Sequence, residues 1–208
     1  MDHYAQLLCH WQDLAQHWDY EERYQALSLP GYCSGGPLPL RYFGVPYHLD
    51  PKSGAVTRDK DGQPAEFFVA MAIYALFFYS QPRPRCSGNF VAFRQISQVA
   101  PFTSAFEQQW VQPFSLYFGG KTKLLRQLGL DAGFLPLAHS DAGFEARAFD
   151  CLPLRYLFWD GDEEFPPQTT VLFDANITQF VHPEMVVCIG GEGLKLLRSM
   201  AEERRLSE

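Results

Sequence analysis

Residues 159–167 read Trp-Asp-Gly-Asp-Glu-Glu-Phe-Pro-Pro, placing four carboxylates, Asp160, Asp162, Glu163 and Glu164, within five positions. Carboxylates this close can ligate a cation, act as a catalytic acid pair, or face water as a solvated turn. A calcium loop of the EF-hand type fails at its most demanding positions. Counted from Asp160, position six is Phe165 where glycine is required, and position twelve is Val171 where glutamate is required. Neighbouring carboxylates about 6 Å apart repel by roughly 0.7 kcal/mol in water and several-fold more at a lower effective dielectric. An exposed turn tolerates that cost, whereas an inward-folded turn needs cations or backbone donors. Arg147 and Arg155, on the segments just before the turn, are the expected partners, and Arg94 is a third candidate cation. Trp159 and Phe165 are expected to anchor the ends of the turn in the core. Asp174 closes the apolar run Thr170–Asp174 and is either a catalytic acid or a helix N-cap.

Other patterns carry less chemistry. His3, His10 and His17 are spaced seven apart, which on a helix puts them about 10 Å from one another along the axis, too far to share one ion. The cysteines, Cys9, Cys33, Cys86, Cys151 and Cys188, contain no CxxC pair, so no local zinc or iron–sulfur motif exists and no metal-ligand set is expected. Gly190-Gly191-Glu192-Gly193 lacks the GxGxxG and GK[ST] patterns of nucleotide loops and reads as a joint where a helix breaks. GxSxG and HExxH are also lacking.

The elements that must position these residues follow from periodicity. Tyr4, Leu7, Leu8, Trp11, Leu14 and Trp18 recur at helical spacing, which predicts an amphipathic helix over 3–18 that docks through Trp11 and Trp18. Turn residues at 28–38 precede a small antiparallel meander over 40–58. Residues 64–80 form a buried central helix, started by Pro64 and ended before Pro82 and Pro84. A short strand is expected over 87–96. Next comes a helix from Thr103 with a capping box to Glu107 or Gln108, kinked or ended at Pro113. A further helix is expected over 121–130. Alternation then predicts strands at 143–150, 152–159 and 168–174, paired antiparallel, before a terminal helix from Pro183 to about Arg204. The expected fold class is α+β, one domain over 1–208: an antiparallel sheet on the central helix, with N- and C-terminal helices, a helical segment at 1–27 and a core over 40–203.

With 208 residues, 47% of them hydrophobic, the chain can bury a sizeable core. The net charge of −7 disfavours nucleic acid and anionic membrane surfaces as partners. The most apolar run, Phe67–Tyr79, falls short of the roughly 20 residues that span a bilayer. An odd cysteine count and a polar N-terminus lead to the expectation of a reduced, cytoplasmic protein.

Residues 91–119 contain an FRQ segment and an AF…V..PF…FG helix. Residues 152–186 contain W-x-x-D-E-E-F-P…LFD followed by the terminal helix. Together they resemble a bacterial and archaeal family, domain of unknown function 3786, over about 40–203. The resemblance implies a protein of anaerobes, some of whose relatives join this domain to a four-iron iron–sulfur domain like that of corrinoid and carbon-monoxide dehydrogenase systems. This chain lacks the cysteine-rich N-terminal segment of those fused members. The resemblance thus leads to the expectation of a binding or accessory module of anaerobic metabolism, serving a protein partner or a small cofactor, corrinoid or iron–sulfur in kind. The alternatives are a metal-assisted hydrolase using Asp160, Asp162, Glu163, Glu164 and Asp174, and a structural partner subunit. The sequence names no particular cofactor.

Overall fold

The computed structural model describes residues 3–207. Its elements in chain order begin with α1 (His3–Ala15), α2 (Tyr20–Leu27), β1 (Leu38–Tyr42), β2 (Val45–Leu49), β3 (Val56–Arg58) and α3 (Phe67–Tyr79). β4 (Phe90–Ala92) leads through 3-10 turns into α4 (Thr103–Phe106), a π-helical segment (Glu107–Val111) and α5 (Gln112–Phe118). The remainder is α6 (Thr122–Asp131), β5 (Leu135–Leu137), β6 (Ala142–Phe149), β7 (Leu152–Trp159), β8 (Gln168–Asp174) and α7 (Pro183–Ser207).

The fold is α+β with two antiparallel sheets. β1-β2-β3 form the expected meander, and the larger sheet runs β4-β8-β7-β6-β5. Alternation is strict in β7, where Leu152, Leu154, Tyr156 and Phe158 are buried and the intervening residues face outward. The buried side receives α5, α6 and α7, while α3 packs between α1 and α7. Among the described residues no helix is long and apolar enough to cross a membrane.

Aromatic stacking docks α1, as its stripe predicts. The Trp11 ring lies parallel to Tyr74 at 6.1 Å and edge-on to Phe78 at 5.3 Å. Gly54, at φ +69°, lies so close beneath the Gln12 backbone that a Cβ there would collide with it.

Several expectations need correction. Pro64 does not open α3; it bridges to Thr57 as a strand-like residue, and α3 begins at Phe67. The extended segment stops at Ala92, so Arg94 sits in a 3-10 turn. No capping box forms at Thr103, whose hydroxyl turns back to the Ala100 carbonyl at 2.8 Å. Pro113 neither ends nor breaks its helix. It follows the π-helical segment, whose wider turn relieves the clash between the proline ring and the carbonyl four residues back. The meander and the larger sheet meet at the end of β6, where the Phe43 amide donates to the Ala148 carbonyl at 3.0 Å.

The glycine stretch is not a joint, since α7 runs unbroken through it. These glycines let α7 press against aromatic faces. A methyl group at Gly190 would lie 2.7 Å from Phe173, one at Gly191 would overlap the Trp110 indole, and one at Gly193 would overlap the Tyr156 hydroxyl and the Phe43 ring. Gly193→Ala should therefore destabilise the protein by about 1–3 kcal/mol despite alanine's better helix propensity, read as a lower urea midpoint.

Candidate functional site

The acidic turn is fastened by its own carboxylates. Asp160 accepts from the Gly120 amide at 2.8 Å and the Thr122 hydroxyl at 2.6 Å, so it ties the turn to the segment that leads into α6. Those donors, the Gly120 amide foremost, hold its carboxyl below the usual range. Asp162 accepts from the Phe165 amide at 2.8 Å and the Glu164 amide at 2.9 Å, which also lower its pKa. Glu163 and Glu164 are exposed.

Among the described residues neither Arg147 nor Arg155 takes part in this fastening. Arg155 pairs with Glu145 at 2.9 Å and lies over the Phe90 ring at 3.8 Å, while Arg147 donates to the Asp150 carbonyl at 2.7 Å. Both sit toward the middle and far end of their strands, and backbone amides fill the role expected of them. Trp159 is 38% exposed and Phe165 61%, so neither anchors the turn in the core. Packing comes instead from Pro167, whose ring sits against Gly119 and Gly161.

Asp174 is completely buried. It does not cap a helix. Its two oxygens accept from the Ser87 amide at 2.9 Å, the Ser87 hydroxyl at 3.0 Å, the Gly88 amide at 2.8 Å and the Asn176 amide at 2.9 Å. It clamps the 87–88 segment onto the end of β8. The β7–β8 register pairs Trp159 with Gln168 and Leu154 with Phe173. Asp160 and Asp174 therefore lie at opposite ends of the sheet, roughly 20 Å apart at about 3.4 Å per residue. The carboxylates named from sequence do not converge, and among the described residues no group of three or more His, Cys, Asp or Glu is placed to hold a metal ion.

Arg94 belongs to a different place. A cleft of about 570 Å³ opens between the π-helical segment, the 3-10 turn carrying Arg94, and the start of β8 with Pro166 and Pro167. Its base is tied by the buried hydroxyls of Ser115 and Thr169, 2.8 Å apart, which link α5 to β8. Glu107, the first π-helical residue, lines it opposite Arg94. Burial pushes the Glu107 carboxyl up, and the Arg94 charge pulls it part of the way back. Arg94 is exposed, and among the described residues its guanidinium makes no hydrogen bond. Gln112 and Thr170 add polar groups, and Val111 and Leu116 add apolar surface.

A family model described as domain of unknown function (DUF3786) matches residues 19–195. The chain belongs to this family. No curated protein and no solved structure matches it significantly. The match takes in the acidic turn, the clamp at Asp174 and the whole Arg94 cleft of this DUF3786 chain, and leaves α1 outside.

Sequence reasoning found Arg94 but missed Glu107, Gln112 and the Ser115–Thr169 pair. The available signal was a proline within a helical pattern, since an unbroken helix through Pro113 requires a local widening. The fastening role of Asp160 has a signed pH dependence. A folded-state pKa below the unfolded value of about 3.9 gives stability that is fully present above that value and lost as pH falls through the folded pKa. Asp160→Ala should cost about 1 kcal/mol at pH 7, and its urea midpoint should converge on that of the wild type as pH falls below about 4.

Proposed function

We propose that this chain is a small-molecule binding module whose ligand sits in the cleft beneath the π-helical segment. The observation that carries the reading is that the exposed Arg94, which makes no hydrogen bond among the described residues, and the partly buried Glu107 line one cavity of about 570 Å³. That volume lies within the range of roughly 300–1,000 Å³ in which small-molecule sites fall. π-helical segments also occur often at functional positions, because they redirect side chains without ending the helix. The ligand class that suits the lining carries an ionised acid group for Arg94, a hydrogen-bond donor for Glu107, and a modest apolar portion for Leu116 and Pro166. The Ser115 and Thr169 hydroxyls at the base of the cleft are engaged with each other, which supports binding more readily than covalent chemistry.

The finer role, an accessory module of anaerobic metabolism with a corrinoid- or iron–sulfur-bearing partner, is supported by the family resemblance. The cleft supports the binding part of that role. The test is thermal-shift and calorimetric titration with small carboxylates and phosphate esters alongside cobalamin, haem and flavin. At least one acid-bearing compound should raise the melting temperature, and Arg94→Ala should weaken its binding at least tenfold, the scale of a charge-assisted hydrogen bond. If no compound binds, or if Arg94→Ala binds as well as the wild type, the reading fails.

A further inference from the structure

Cys86 and Cys151 are 65 positions apart in the chain, yet the Cys86 thiol donates to the Cys151 carbonyl at 3.3 Å. They meet at the end of the larger sheet where Asp174 closes β8, and neither lines the Arg94 cleft. Other groups enforce the meeting. The Arg85 amide donates to Gln179 Oε1 at 3.2 Å, and Asn176 Nδ2 donates to the Arg85 carbonyl at 3.0 Å. The Ser87 amide donates to Asp174 at 2.9 Å, so Cys86 is pinned through both of its neighbours. Cys151 lies in the turn between β6 and β7, whose flanks Phe149 and Leu152 are paired. Arg147 donates to the Asp150 carbonyl at 2.7 Å, and Arg41 pairs with the Asp150 carboxylate at 2.9 Å. The two backbones are therefore held side by side without help from either sulfur.

Both thiols are free, Cys86 exposed and Cys151 partly buried, so a reagent from solvent reaches Cys86 first. Burial is the main influence on each. It pushes the Cys86 thiol up to about 11, with the Asp174 carboxylate adding to the rise. It pushes the Cys151 thiol up to about 12, and the neighbouring Cys86 sulfur adds to that rise because two thiolates there would repel. Thiols with so little thiolate attack slowly, and as leaving groups they depart slowly. A bond between them would form slowly and persist once formed.

We propose that Cys86 and Cys151 form an intramolecular disulfide when the chain meets a low-molecular-weight disulfide, stapling the 85–88 segment to the β6–β7 turn. The Cys86 thiolate attacks one sulfur of the small disulfide, forming a mixed disulfide and expelling one small thiolate, which takes up a proton. The Cys151 thiolate then attacks the Cys86 sulfur and expels the second. The protein pair gives up two protons and two electrons, and the small disulfide leaves as two thiols. A thiol in contact with the other cysteine's own carbonyl brings the two Cα atoms near the roughly 4–7 Å found in bridged pairs. The staple closes a loop of 65 positions, which restricts the unfolded chain and favours the folded one.

The test is incubation of the reduced chain with oxidised glutathione in mildly alkaline native buffer, which raises the thiolate fraction. Remaining thiols are then alkylated and peptides mapped without reduction. The Cys86 peptide should be linked to the Cys151 peptide. The melting temperature should rise by several degrees and return when dithiothreitol is added. Cys151→Ala should stop at the mixed disulfide, with glutathione held on Cys86. Cys86→Ala, which keeps every other thiol, should show neither the link nor the rise. The proposal is overturned if Cys86 in the wild type stays reduced, keeps its glutathione, or links to Cys9, Cys33 or Cys188 instead. It is also overturned if the linked chain melts no higher than the reduced one.

Discussion

Three glycines on one turn of α7 decide how closely that helix approaches the rest of the fold. Gly190 meets Phe173, Gly191 meets Trp110, and Gly193 meets Tyr156 and Phe43. Each glycine costs a helix about 1 kcal/mol relative to alanine, so the close packing must offset a substantial local penalty. The contact ties three layers together, because Phe173 and Tyr156 belong to the larger sheet, Phe43 to the meander end and Trp110 to the π-helical segment.

Polar groups in this molecule divide into fasteners and spare capacity. Asp160, Asp162 and Asp174 each accept several donors and hold a turn, a helix start or a loop in place. A carboxylate so engaged has little capacity for chemistry, since its lone pairs are occupied and its charge is solvated by backbone dipoles. Arg94 is the opposite case, an exposed guanidinium that lines a cleft and makes no hydrogen bond among the described residues. The most acidic stretch of the sequence is structural, and the cleft proposed to hold a ligand lies elsewhere.

Much of the architecture is legible from periodicity alone. Strand β7 alternates cleanly, and β8 does so as far as Phe173, because one sheet face is covered by helices and the other faces outward, whereas β6 is buried on both faces at its ends. The aromatic stripe of α1 is legible for the same reason. What periodicity cannot show is direction. The carboxylates at 160–164 give no hint that one will reach back to Gly120 and Thr122, nor that Arg155 will choose Glu145. β5 is only three residues long and offers no pattern. Glycine at 190, 191 and 193 is ambiguous in sequence, since it permits both a break and a close approach, and only the facing aromatic residues decide.

The central claim is that α7 is held by direct contact between its glycine face and the opposing aromatics. A double-mutant cycle on Gly191→Ala and Trp110→Leu tests it most directly, with stability measured by urea denaturation. Gly191→Ala should destabilise the wild type by about 1–3 kcal/mol and have little effect when the indole has already been removed, a coupling of at least roughly 1 kcal/mol. Additive effects, or a Gly191→Ala variant more stable than the wild type, would show that Gly191 does not hold α7 against Trp110 and would contradict the account.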